Sequence, residues 1–319
     1  MITRRNFLAH SAMATASLLT LPESLLALQQ NAGDQPAQSL LQSMRAAASS
    51  AETKPTKLTD TIYLVQNIGA NILVVTGPDG KLLIDSGMAT AAPHLLDAVN
   101  KLAPHPVKIL INTSWLFEHT DGNAALHAAG AFIIAQENTR LRLAAPQKMS
   151  MFNLDLTASP ASALPQQTFS DNEKLYCNND EVDLFHAPNA STDSDTFVHL
   201  VNANLIHTGE LWFNPGYPIL DVDSGGTING LIQGVDQILQ FADDRTKIVP
   251  SHGSAGRKAD LANYREMLAT VANRVEKLKI AGQTLDQVLA AHVTADLDSE
   301  WSHGQVTANM FLTAVYNTL

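Results

Sequence analysis

Cysteine is nearly absent from this 319-residue chain: Cys177 stands alone. One thiol can build neither an intrachain disulfide nor a multi-cysteine zinc site, so it reads as a small, partly buried apolar residue. Basic residues are also scarce, with 20 Lys and Arg against 31 Asp and Glu and a formal net charge of −11. That balance opposes the counterion release that rewards binding to nucleic acid or anionic membrane. A small-molecule partner is therefore expected and a nucleic acid is not. The one long apolar stretch, Ala9 to about Leu28, is interrupted by His10, Ser11, Ser17 and Pro22, so no stable membrane span is expected. Short-period repeats and low-complexity tracts are missing too, which excludes solenoids and fibrous arrays.

What is present divides into three parts. Thr3, Arg4, Arg5, Asn6, Phe7 and Leu8 precede the apolar, small-residue run, and this resembles a twin-arginine export signal over residues 1–28. The resemblance implies export, to the periplasm or beyond, of a protein that crosses already folded. Ala14, Thr15 and Ala16 lie inside the run, so the cleavage point stays open. Residues 29–55, rich in Ala, Ser and Gln, read as a linker with some helical tendency. Residues 56–319 are long enough for one large α/β domain with a sizeable core.

Within that domain the chain starts as a meander. β-rich runs at 61–66, 71–76 and 81–85 are separated by turn residues, with Gly77, Pro78, Asp79 and Gly80 before the third. Leu95, Leu96, Val99 and Leu102 then have helical spacing, and the apolar strand 107–112 follows. A polar loop over 113–121, a helix near 122–129, a strand near 131–135 and a helical run to Leu143 continue the rhythm. Residues 144–168 are expected as a long surface excursion. Strands return at 174–177, 181–186, 196–201 and 204–207, and a further strand at 247–250 lies among helices at 228–242, 259–280, 285–292 and 308–316. Two β-rich halves flanked by helices predict a four-layer αββα sandwich, with a C-terminal helical extension from about residue 257.

The chemistry-bearing residues gather in five loops directly after strands, where α/β folds assemble sites. These are 85–87, 113–123, 188–195, 209–210 and 251–253. The second loop runs Asn112, Thr113, Ser114, Trp115, Leu116, Phe117, Glu118, His119, Thr120, Asp121, Gly122, Asn123. In order and spacing the five loops resemble the metallo-β-lactamase superfamily, whose signature is Asn-Thr-His-x-His-x-Asp-His followed by Gly-Asn. The resemblance covers roughly residues 60–255.

The resemblance implies an unevenly altered two-metal site. The three imidazoles that hold one zinc in the family are replaced by Ser114, Leu116 and Ser191. The positions of the second metal keep their chemical type in Glu118, His119, Glu210 and His252, with both aspartates lengthened to glutamate. Two imidazoles and two carboxylates suit one zinc, manganese or ferrous ion, and each glutamate reaches one methylene further than aspartate. The activity implied is hydrolysis of an ester, thioester, lactone or β-lactam, impaired or altered, with Glu118 available as general base. The alternative is a protein that has lost its metals and keeps the pocket for binding. An iron-dependent redox role at the same residues is chemically allowed.

Asp85 is expected to anchor loops around the site, and Asp193 and Asp195 to satisfy loop donors. His186, His199 and His207 lie on strands among apolar neighbours and read as packing residues. Trp115, Leu116, Phe117, Trp212, Phe213, Tyr217 and Trp301 either line an apolar cleft or belong to the core.

Overall fold

A computed structural model describes residues 37–319. The twin-arginine-like stretch and the apolar run lie outside the described residues. No helix among those described is long and apolar enough to cross a membrane.

The first described element is a helix within residues 29–55. Helix α1, Ala37–Ser50, places Leu40, Leu41, Met44 and Ala48 against the core, an i, i+4, i+8 apolar stripe that earns its burial by packing rather than by propensity. Arg45 fastens it through Nε and Nη2 to the two carboxylate oxygens of Asp121, at 2.9 and 2.5 Å.

The meander follows as β1 (Thr56–Lys57), β2 (Ile62–Val65), β3 (Ile72–Val75) and β4 (Lys81–Ile84). Next come α2 (Ala92–Leu102), β5 (Val107–Asn112), α3 (Phe117–Thr120), α4 (Asn123–Ala128), β6 (Phe132–Gln136) and α5 (Glu137–Leu143). The expected surface excursion carries a small hairpin, β7 (Gln147–Met149) with β8 (Leu154–Leu156), before β9 (Gln167–Phe169). The first sheet has the order β1-β2-β3-β4-β5-β6-β9, antiparallel up to β4 and parallel beyond.

The second half supplies β10 (Asn172–Cys177), β11 (Asp180–His186), β12 (Thr196–Leu200) and β13 (Leu205–His207), then the short β14 (Phe213–Asn214). After these come α6 (Ile228–Phe241), β15 (Lys247–Val249), β16 (His252–Gly253) and α7 (Lys258–Ile280). The second sheet runs β10-β11-β12-β13-β15, and β14 pairs with β16 in a two-stranded ribbon. Helices α8 (Leu285–Ala290), α9 (Asp298–Trp301) and α10 (Ala308–Thr318) form the C-terminal extension.

Strand periodicity decides which side chains meet where. Leu73, Val75, Leu82 and Ile84 face Val182, Leu184, Val198 and Leu200 in a core between the two sheets. Their neighbours Ile72, Val74 and Leu83 point the other way, into the core under the helices. Full burial of such a side chain is worth roughly 1.5–3 kcal/mol, and a one-residue slip would exchange the two faces. Register is therefore strongly specified. The outer helices complete the four layers: α4 and α5 pack on β6 of the first sheet with α2 beside α4, and α7 packs on β15 of the second with α6 beside it. Thr227 Oγ1 caps α6 by accepting from Gly230 N at 3.0 Å.

Candidate functional site

Asp85 ends β4 with φ at +67°, a left-handed conformation uncommon for a residue with a side chain. What holds it is its carboxylate. Oδ1 accepts from Thr113 N at 2.8 Å, and Oδ2 accepts from Thr113 Oγ1 at 2.6 Å and from His119 Nδ1 at 2.8 Å. One buried aspartate thus ties the loop after β4 to the loop after β5.

The motif loop is framed by amides. Asn112 and Asn123 exchange reciprocal side-chain hydrogen bonds at 3.0 and 2.8 Å, so the Asn and Gly-Asn that survive in the motif hold the two ends of the loop together. Gly122 has a steric reason: a Cβ there would stand 2.4 Å from the carbonyl oxygen of Ser86. The carbonyl of His119 accepts from Ser86 N, Ser86 Oγ and Asn112 Nδ2 at 2.9, 2.9 and 3.2 Å. These contacts fix the backbone that aims the imidazole.

His119 is fully buried, and its other nitrogen, Nε2, lies 2.7 Å from Glu210 Oε2. With a carboxylate at each nitrogen the ring donates twice, which is the imidazolium form. Burial works against that charge, but Asp85 and Glu210 outweigh it and lift His119 well above the ordinary histidine range. Glu210 sits in a tight turn whose first residue, Gly209, has φ +54° and would place a Cβ 2.5 Å from Thr196 O. Ser251 Oγ donates to the same Glu210 Oε2 at 2.7 Å, and Ser191 Oγ donates to the Glu210 carbonyl at 3.1 Å.

Glu118 and His252 form the second pair, with 3.1 Å between Oε2 and Nε2. The contact is an ion pair rather than a directed hydrogen bond. Burial alone would raise Glu118, yet the charge of His252 brings it below its ordinary value. Burial likewise disfavours the His252 charge, and Glu118 overcomes this to raise it. Phe213 stacks on the His252 ring at 4.9 Å, and 28% of the His252 side chain is exposed. His252 is the mouth of the site, and His119 is its sealed interior.

The three positions read as lost imidazoles are all buried. Leu116 belongs to the hydrophobic core, Ser191 is turned to backbone, and Ser114 Oγ has no hydrogen-bond partner among the described residues. Asp195 accepts from Thr192 N and Oγ1 at 2.6 and 3.0 Å, and burial lifts its carboxyl to about 7. Asp193 binds Arg142 through both oxygens, at 3.2 and 2.7 Å.

Glu118, His119, Glu210 and His252 are brought together, but as two acid–imidazole pairs. Among the described residues, no group of three or more His, Cys, Asp or Glu side chains is arranged to hold a metal ion. Both nitrogens of His119 are engaged by carboxylates, so the ring presents no lone pair to an ion. As placed, the residues do not fit the implied metal.

Thr113 and Ser251 lie in the expected loops, but their carboxyl partners were not legible in the sequence. Their signal was a hydroxyl beside a motif residue, which local chemistry alone does not distinguish from ordinary loop polarity. His207 accepts from Gly209 N at 3.1 Å and donates to Asn71 O at 3.0 Å, a buried neutral ring serving as a strut. Trp212, Tyr217 and Trp301 are core. Trp115 and Phe117 form part of the wall of a cleft of about 400 Å³ between α1 and the excursion.

Two sheets of this order between helical layers, with the site at their strand ends, match solved structures closely enough to decide the fold. A metallo-β-lactamase from Pontibacter korlensis aligns with a TM-score of 0.57 at 17% identity, covering 68% of this chain and 99% of that one. The fold is that of the metallo-β-lactamases. The stereoselective inverting sec-alkylsulfatase Pisa1 from Pseudomonas sp. aligns with a TM-score of 0.66 at 18% identity over 92% of this chain, and a double mutant of it aligns with 0.65. The chain spans about half the length of those alkylsulfatases, at 54%. No family model and no curated protein matches the sequence. At such identities the likeness establishes the metallo-β-lactamase fold and leaves the chemistry to the site.

Proposed function

We propose that this chain is an exported metallo-β-lactamase-fold protein that has left two-metal hydrolysis and uses the scaffold to bind a small molecule at the mouth formed by His252 and Phe213. The observation that carries the reading is the burial of Ser114, Leu116 and Ser191 at the three positions of the first metal's imidazoles. A leucine offers no donor, and a metal-bound water is what this fold uses to reach a nucleophile at neutral pH. Losing one preorganised electrostatic contact costs roughly a hundredfold to a thousandfold in rate, and losing a whole cation costs at least that.

A second reading, weak hydrolysis at one ion held by Glu118, His119, Glu210 and His252, is favoured by one feature. Glu210 Oε1 and His252 Nε2 are buried without hydrogen-bond partners among the described residues, and an aspartate on the far nitrogen is how proteins orient metal-bound histidines. It requires His119 Nε2 to release Glu210.

A turnover screen over β-lactams, thioesters, lactones, carboxylic esters and secondary alkyl sulfates, with and without added zinc, separates the two. The binding reading expects rates indistinguishable from buffer in both conditions. Zinc-dependent turnover that disappears in His252→Ala would establish the hydrolase.

A further inference from the structure

The misfit between the residues and the implied metal has a structural consequence. We infer that the chain Asp85–His119–Glu210 takes over the cross-linking role of a metal, joining the loops after β4, β5, β13 and β15 through one imidazole held between two acidic side chains. Each link is short and buried: His119 to Asp85 at 2.8 Å, His119 to Glu210 at 2.7 Å, Thr113 to Asp85 at 2.6 Å and Ser251 to Glu210 at 2.7 Å. Four segments far apart in sequence meet on two carboxylates, as they would on an ion. A bound metal gives such a site its strength through charge and directed bonds. Here short, buried hydrogen bonds, stronger in a dry interior than in water, supply the directed bonds. Thr113 and Ser251 extend the network, each donating a hydroxyl to a carboxyl oxygen that His119 also contacts. The fold of these loops is then independent of metal supply.

The test is thermal unfolding of the purified full-length mature protein, untreated, with EDTA and with added zinc, alongside Glu210→Gln and His119→Ala. Glu210→Gln keeps an acceptor oxygen for His119 and Ser251 while being a poor metal ligand. The cross-link predicts that EDTA and zinc each move the wild-type midpoint by less than about 1 °C, that Glu210→Gln stays equally indifferent to both, and that His119→Ala lowers the midpoint by at least about 5 °C. A wild-type midpoint that falls with EDTA or rises with zinc, with the response lost in Glu210→Gln, would overturn the inference. The wild-type arms decide even where His119→Ala fails to fold. Turnover found in a protein whose stability ignores metal would overturn the binding role above and leave the cross-link standing.

Discussion

Ser251 Oγ and His119 Nε2 stand on the same oxygen, Oε2 of Glu210, each at 2.7 Å. In the resemblance drawn from sequence, the Glu210 position is an aspartate of the second metal. The hydroxyl and the imidazole therefore meet on one side of the acid, and its other oxygen, Oε1, is buried without a hydrogen-bond partner among the described residues.

Removing the central cation should be severe. His119→Ala leaves Asp85 and Glu210 buried without their counter-charge, and breaking a buried pair in this way costs about 3–5 kcal/mol. Urea unfolding should show that loss, with a smaller one, about 1–2 kcal/mol, for Thr113→Val. Equal and negligible losses in both variants would show that the network does not stabilise the fold.

Stability should decline as pH rises from mild acid. Burial raises Asp195 from 3.8 to about 7 and Asp221 from 3.8 to about 6, so each contributes stability that is complete below about 3.8 and lost as pH climbs through those values. His119 and His252, raised above 6.5 by their carboxylate partners, contribute stability complete below that value and lost as pH passes their folded values. Glu118, held low, limits the gain at the acid end. Melting temperatures should therefore be higher at pH 5.5 than at 8.5, and Asp195→Asn should flatten the slope below pH 7. A midpoint that rises across this range would contradict the assignment.

Much of this was legible in the sequence because it depends on local pattern. Period-2 strands such as Leu73/Val75 and Leu82/Ile84 announce the inter-sheet core, and Val107–Asn112 ends where its motif begins. The helix over Ala37–Ser50 was read as linker because its Ala- and Ser-rich composition masks an apolar stripe that matters only against a partner surface. The site divides in the same way. Residue identity showed that Ser114, Leu116 and Ser191 cannot supply an imidazole, whereas the pairing of His119 with Glu210 joins side chains 91 positions apart.

Rebuilding the lost ligands tests the loop alignment. Ser114→His, Leu116→His and Ser191→His, combined with Glu118→Asp and Glu210→Asp, should give a protein that binds two zinc ions per chain by isothermal titration. A folded variant that binds none would show that these loops do not correspond to the family's.

Export depends on the paired arginines in this account. Arg4→Lys with Arg5→Lys should leave the protein in the cytoplasmic fraction of a host with a functional twin-arginine pathway, while the wild type reaches the periplasm. Identical fractionation of the two would remove the export reading.

The most direct measurement is metal stoichiometry by elemental mass spectrometry on the purified protein, before and after incubation with zinc and desalting. A site closed by Asp85, His119 and Glu210 predicts far less than one metal ion per chain in both samples. One ion per chain, retained through desalting and lost in His119→Ala, would contradict it.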